Sequence, residues 1–295
     1  IAIVTVFFLF HIKSVLYAQV QVGFEQPKNN GNTVEQLARQ HFEQHEYEKA
    51  NTYFEELFDK KPQAWYTYYF KSLLGAKDFS KAEKITRRQL KQNKENVFLY
   101  VSLGKVYKLQ NEDKKANDAF IKALKELNPV QPHVENLANA FKEERLYDYS
   151  IDTYNKARKQ NPEYPYFYER AEIYKLKDDL ASMINEYLDA LEFRESEIET
   201  VQANLQNSLG YDDEKGGIKN PLLKQELQKR IQKSPDKLVL TRFLIFIQLQ
   251  QKDFEGAFVQ TRSLDKRMDE EGQRVYELAK ICESNKEWEV AKKCY

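Results

Sequence analysis

The chain has 295 residues, with 46 Lys and Arg set against 46 Asp and Glu, so its formal net charge is zero. That balance offers no basic field to attract nucleic acid, and nucleic acid is excluded as an expected partner. Nine Gly and eight Pro are few, while 19 Tyr and 18 Phe are many; a nearly all-helical chain with aromatic-rich cores is expected.

The chain opens differently from the way it continues. Ile1 to Phe10 is apolar except for Thr5, and Val15-Leu16-Tyr17-Ala18 precedes Gln19. This resembles the apolar region and small-residue cleavage site of a secretory signal peptide over residues 1–18. Ala18 suits the cleavage position, and Leu16 fits less well. The run is short of the about 20 apolar residues of a membrane span. An uncleaved anchor is the weaker alternative, and no membrane insertion is expected after cleavage. No Cys follows Ala18, so nothing supports a lipoprotein. Residues 19–33 are polar, with Pro27 and Asn29-Asn30-Gly31-Asn32, and read as a flexible leader. Residue 1 is not Met, and Tyr295 falls inside an expected helix; the chain reads as part of a longer protein.

The stretch from Phe98 to Pro129 carries the clearest pattern. Tyr100, Leu103, Gly104 and Tyr107 share one side of a first helix, and Ala116, Phe120 and Ala123 share one side of a second. Two helices approach closely only where small residues meet, which is the expected role of Gly104 and Ala116. Tyr107 and Phe120 fill the space beside the crossing. With Gly104 at position 8 and Ala116 at position 20, the scheme extends both ways. Position 8 is Ala38, Phe70, Gly104, Ala138 and Ala171; position 20 is Ala50, Ala82, Ala116, Ser150 and Met183. The large Phe70 implies a wider crossing. The pattern lapses and returns with Ala257 and Ala291 at position 20 and Ala279 at position 8. The gap fits one extra helix pair, at about Ile198–Leu209 and Leu222–Lys233. Its Gly-rich acidic loop, Gly210 to Gly217, is expected to be mobile.

This pattern resembles the tetratricopeptide repeat, a helix–turn–helix unit of about 34 residues. The resemblance implies an all-α, right-handed superhelical solenoid of antiparallel helix pairs. Five repeats are expected over 34–195, an irregular pair over 196–237 and two further repeats over 238–295. One pair cannot cover its own apolar faces, so neighbours must stack. The resemblance also implies that positions 2, 5, 9 and 12 of the first helices line a concave groove. Those positions give Arg39, Lys71, Phe98, Val101, Lys105, Lys108, Lys142 and Lys175, with Asn139 and Tyr168 nearby. A ladder of Lys suits an acidic or polar extended peptide, although Lys supplies attraction more than geometry. Glu35, Glu135 and Glu172 share the face, and a solvated charged surface is the plainer reading. The Lys–Asn clamp by which some relatives hold peptide C-termini is not matched; Asn136 and Asn139 are isolated.

Other candidates have ordinary explanations. His41 and His45 are four apart, as in a zinc site, but no third ligand is nearby, and packing is the expectation. Cys282 and Cys294 occupy facing helices; export would permit a disulfide, while small core residues are the plainer reading. The loop at 212–214 lacks the EF-hand spacing. No phosphate loop, Ser–His–Asp set or Cys-x-x-Cys pair occurs, so neither catalysis nor a cofactor or metal is expected. The function implied is a protein–protein interaction scaffold, exported to the periplasm or envelope of a bacterium. The alternative is the sensory region of a longer membrane-bound signalling protein such as a sensor kinase. A glycan binder would need exposed stacked aromatics, and most aromatics here fall at core positions.

Overall fold

The computed structural model describes residues 33–210 and 221–295. The expected signal peptide, the leader up to Asn32 and the acidic loop from Tyr211 onward lie outside them. Two compact units divide the chain, Ile1–Ala76 and Lys77–Tyr295, so the boundary falls between the two helices of the second repeat.

The first unit contains α1 (Val34–Glu43), α2 (Tyr47–Lys60) and α3 (Pro62–Gly75). A capping box starts α1: the Thr33 hydroxyl accepts from the Gln36 N–H, and the Gln36 side chain accepts from the Thr33 N–H. Ala38 and Ala50 are fully buried between α1 and α2, beside Phe54. Pro62 opens α3 at a position where a missing N–H costs nothing. Gly75 lies under the Tyr47 ring, where a Cβ would come within 2.6 Å of ring carbons. The large Phe70 is buried and stacks on Tyr66 with centroids 5.5 Å apart.

The second unit likewise carries only helices and the turns between them among its described residues. It begins with α4 (Phe79–Gln92), α5 (Phe98–Leu109), α6 (Asp113–Glu126), α7 (Gln131–Glu143) and α8 (Tyr147–Gln160). It continues with α9 (Phe167–Leu176), α10 (Leu180–Phe193), α11 (Ile198–Leu209) and α12 (Pro221–Lys233). The last elements are α13 (Leu238–Gln250), α14 (Phe254–Met268), α15 (Gln273–Ser284) and α16 (Trp288–Cys294). Paired helices pack side by side, and first and second helices also stack on their counterparts, α5 on α7 and α6 on α8. One core runs through α5–α9 from Val101 to Ile173, and another through α9–α13 from Phe167 to Ile247. Val201, Leu205, Leu223 and Leu227 of the irregular pair belong to that second core. Arg230 fastens α12 to α10 through Asp189 at 2.7 Å and Glu192 at 2.6 Å. Ala116, Ala138, Ala171, Ala257 and Ala291 are all buried.

Two details depart from the sequence expectation. At the α5–α6 crossing the Phe120 ring occupies the space directly over Gly104. A Cβ on Gly104 would lie 2.1 Å from Phe120 Cε1. Glycine there makes room for a buried ring worth about 1.5–3 kcal/mol. Tyr107 does more than fill space: its hydroxyl donates to Glu83 at 2.9 Å and accepts from Arg87, joining α5 to α4.

The turn inside each pair repeats a device that no glycine announces. Position 15 holds His45, Lys77, Asn111, Arg145, Asp178, Lys252 and Lys286, all at φ between 58° and 64°. These left-handed residues end the first helix in a Schellman-type turn. In it the next N–H returns to the carbonyl at position 11, as from Glu112 to Tyr107 and from Asp253 to Gln248, both at 2.8 Å. Where position 16 is Asp, it also caps the second helix. Asp78, Asp179 and Asp253 accept from the N–H groups of Lys81, Ser182 and Gly256. A cap at the opposite end comes from the next repeat, as Lys156 of α8 donates to the carbonyls of Leu124, Lys125 and Leu127 that end α6.

Candidate binding face

The first helices of the second unit bring most of the predicted residues onto one strip. Lys105 on α5 reaches Glu144 at the end of α7, at 2.5 Å. Lys142 on α7 reaches Glu172 on α9 at 3.1 Å. Lys175 on α9 donates to the Ser208 hydroxyl on α11 at 3.3 Å. Each lysine thus braces its own helix to the next first helix. Lys108 pairs with Asp113 across the turn of its own unit at 2.7 Å. Asn139 is exposed on α7 between them. Tyr168 donates to Glu197 at 3.0 Å, and burial with that carboxylate pushes its phenol pKa up.

Two predicted groove residues do not contribute surface in the way expected. Val101 is 3% exposed and belongs to the core, because that face of α5 turns toward α7. Phe98 is half-buried at the start of α5. In the first unit, Arg39 lies against Tyr68 and Trp65, 4.7 and 5.2 Å from their ring centroids, and donates to the Tyr68 hydroxyl at 2.9 Å. Lys71 is exposed there. The first-unit histidines part company: His41 bonds Glu46 at 2.6 Å and His45 bonds the Tyr47 hydroxyl at 2.7 Å. Cys282 and Cys294 are both free thiols, and burial pushes Cys282 up to about 11. Among the described residues no helix is long and apolar enough to cross a membrane.

Sequence reasoning missed a charged cluster inside the array. Position 7 is Leu37, Tyr69, Leu103, Leu137, Leu244 and Leu278 in the other repeats, and Arg170 in the fifth. Arg170 and Glu186 are both buried and pair at 2.8 Å. Arg158 stands at position 28, where Phe58, Leu90, Leu124 and Leu191 are found in four other repeats and Asp265 in the sixth, and lies 3.8 Å from the same carboxylate. The signal was legible as a charge at an apolar repeat position.

The geometry defines an all-α array of tetratricopeptide-like helix pairs. No family model matches the chain, and no curated protein matches it. Solved structures do. A tetratricopeptide repeat protein from Parabacteroides merdae matches at 14% identity, covering 80% of this chain and 93% of that one, with a TM-score of 0.32. The TPR2AB domain of yeast Sti1, in complex with pHSP90, matches at 14% identity over 88% of this chain and 96% of that one, with a TM-score of 0.29. A structure of Naa15/Naa10 bound to HypK-THB matches at 16% identity over 84% of this chain, with a TM-score of 0.31. This chain spans only 38% of the length of that last match.

Proposed function

We propose that the protein is an exported binding scaffold that holds a protein or peptide segment along its first-helix strip, with no bond made or broken. The observation behind this reading is the brace from each first helix to the next through Lys105, Lys142 and Lys175. Braced side chains lose little further freedom on binding, which favours a surface already in its binding geometry. The pairing also changes the expected partner. Lysines already matched by Glu144 and Glu172 attract a purely acidic peptide weakly, and the alternating strip suits a polar segment carrying both signs. The apolar run Ile1–Phe10 and the Ala18-Gln19 junction support export.

The test uses exchanged pairs. Lys105→Glu with Glu144→Lys, combined with Lys142→Glu and Glu172→Lys, keeps each brace and reverses the surface pattern. Peptides selected on the natural chain should bind the exchanged chain at least about tenfold more weakly, with the melting curve unchanged. Equal binding would remove this strip from consideration. Export is checked by sequencing the N-terminus of protein recovered from the envelope: a mature start at Gln19 supports it, and an intact Ile1 in the cytoplasm counts against it.

A further inference from the structure

A cavity of about 530 Å³ opens between α8, the α8–α9 connection, the start of α9 and the end of α10. Its volume is in the range of small-molecule pockets, about 300–1,000 Å³. Arg158, Lys159 and Arg170 line it together with Phe167, Phe193 and Pro162. Glu186 is the carboxylate beside the arginines, and it does not satisfy them. It bonds Arg170 through one oxygen only, at 2.8 Å. Its second oxygen is buried without a hydrogen-bond partner, and so are Nε and Nη1 of Arg170. Arg170 is 8% exposed, so these donors cannot turn to bulk water. A buried guanidinium left largely unbonded is costly, and leucine serves the same repeat position elsewhere without that cost.

The apolar part of the cavity has an unfilled look of its own. Arg158 lies over the Phe167 ring at 4.9 Å, and Phe167 meets Phe193 edge-on at 5.7 Å. Phe193 is nevertheless 51% exposed, a large aromatic surface that a bound group would cover.

The geometry points to a second binding site, independent of the first-helix strip, for a small organic carboxylate that carries an aromatic or apolar group. The carboxylate would pair with Arg158 and Lys159 at the cavity wall and draw the Arg170 guanidinium, whose Nε and Nη1 lie below the surface, into the contact, and the apolar body would rest on Phe167, Phe193 and Pro162. The cavity lining carries three cations and no carboxylate; with Glu186 beside them and Arg230 already matched by Asp189 and Glu192, there is room for an added negative charge, and the apolar walls favour an organic body over a bare ion.

The probe is 3-phenylpropionate, titrated calorimetrically into the full chain beside 3-phenylpropionamide and inorganic phosphate. Saturable binding of the carboxylate is expected, with the amide and phosphate each at least about tenfold weaker. Arg170→Leu combined with Glu186→Ala restores the apolar repeat pattern, and should fold normally and bind at least about tenfold more weakly. Should that pair fail to fold, Arg158→Gln, at a partly exposed position, should weaken binding in the same direction. Equal binding of amide and carboxylate, phosphate binding as tightly as the carboxylate, undiminished binding by the folded variant, or no saturation by the natural chain at about 10 mM would each overturn the proposal.

Discussion

The third and fifth repeats share a backbone and differ in chemistry. At position 7 the third has Leu103 and the fifth Arg170; at position 23 the third has Ala119 and the fifth Glu186. Both sets are buried, so the same two sites are filled once by hydrocarbon and once by an ion pair. In the third repeat the crossing is as tight as it can be, with the Phe120 ring over Gly104. In the fifth the crossing residue is Ala171, and a cavity lies alongside. The third repeat therefore fills these two sites by packing, and the fifth keeps a charged cluster there that its packing does not require.

The largest effect should come from breaking the tight repeat. Gly104→Leu forces a side chain into the Phe120 ring, and should lower stability by about 3 kcal/mol. Gly104→Ala should cost less, and adding Phe120→Leu should recover part of the loss, because the clash is with that ring. Thermal or urea unfolding measures both. A Gly104→Leu chain as stable as the natural one would mean that α5 and α6 do not cross there.

The fifth repeat should respond to pH where the third does not. Burial pushes the Glu186 carboxyl up to about 7, against the pull of Arg170, Arg158 and Arg230 and with Asp189 adding to the rise. A carboxyl whose folded pKa is raised takes up its proton more readily when folded. Its contribution to stability is complete below the unfolded value near 4.5, and is lost as pH rises through about 7. Between those limits stability should fall with rising pH by on the order of 3 kcal/mol. The Arg170→Leu, Glu186→Ala pair should flatten that slope. An identical slope in the two chains would place the ionised carboxylate comfortably in its pair.

How much of this was readable depended on whether a side-chain class or a backbone angle carried the information. Small residues at positions 8 and 20 repeat in the sequence, so the helix pairs and the burial of Ala38, Ala116 and Ala257 could be read directly. The lysine strip could be read as a list of positions, but not as braces, because Glu144 and Glu172 are brought to Lys105 and Lys142 only by stacking of successive units. Val101 differs for a related reason: its burial comes from joining the core shared by successive repeats. Arg170 was visible and overlooked, since attention to what a repeat conserves in character passes over the place where it departs.

The turns were the least legible element, and they offer the smallest but cleanest test. Arg145 and Asn111 both sit in the left-handed region, at φ 58° and 60°. For an ordinary L-residue that conformation costs about 1–2 kcal/mol, and Asn bears it more easily because its short polar side chain can bond locally. Glycine removes the steric cost but adds freedom to the unfolded chain, offsetting about 0.5–1 kcal/mol. Arg145→Gly should therefore raise stability by about 0.5–1 kcal/mol, and Asn111→Gly should leave it nearly unchanged. The urea midpoints of the two variants separate these outcomes. If Arg145→Gly lowers the midpoint, the arginine side chain makes a stabilising contact larger than its backbone strain, and the turn is held by more than its Schellman-type bond to Phe141.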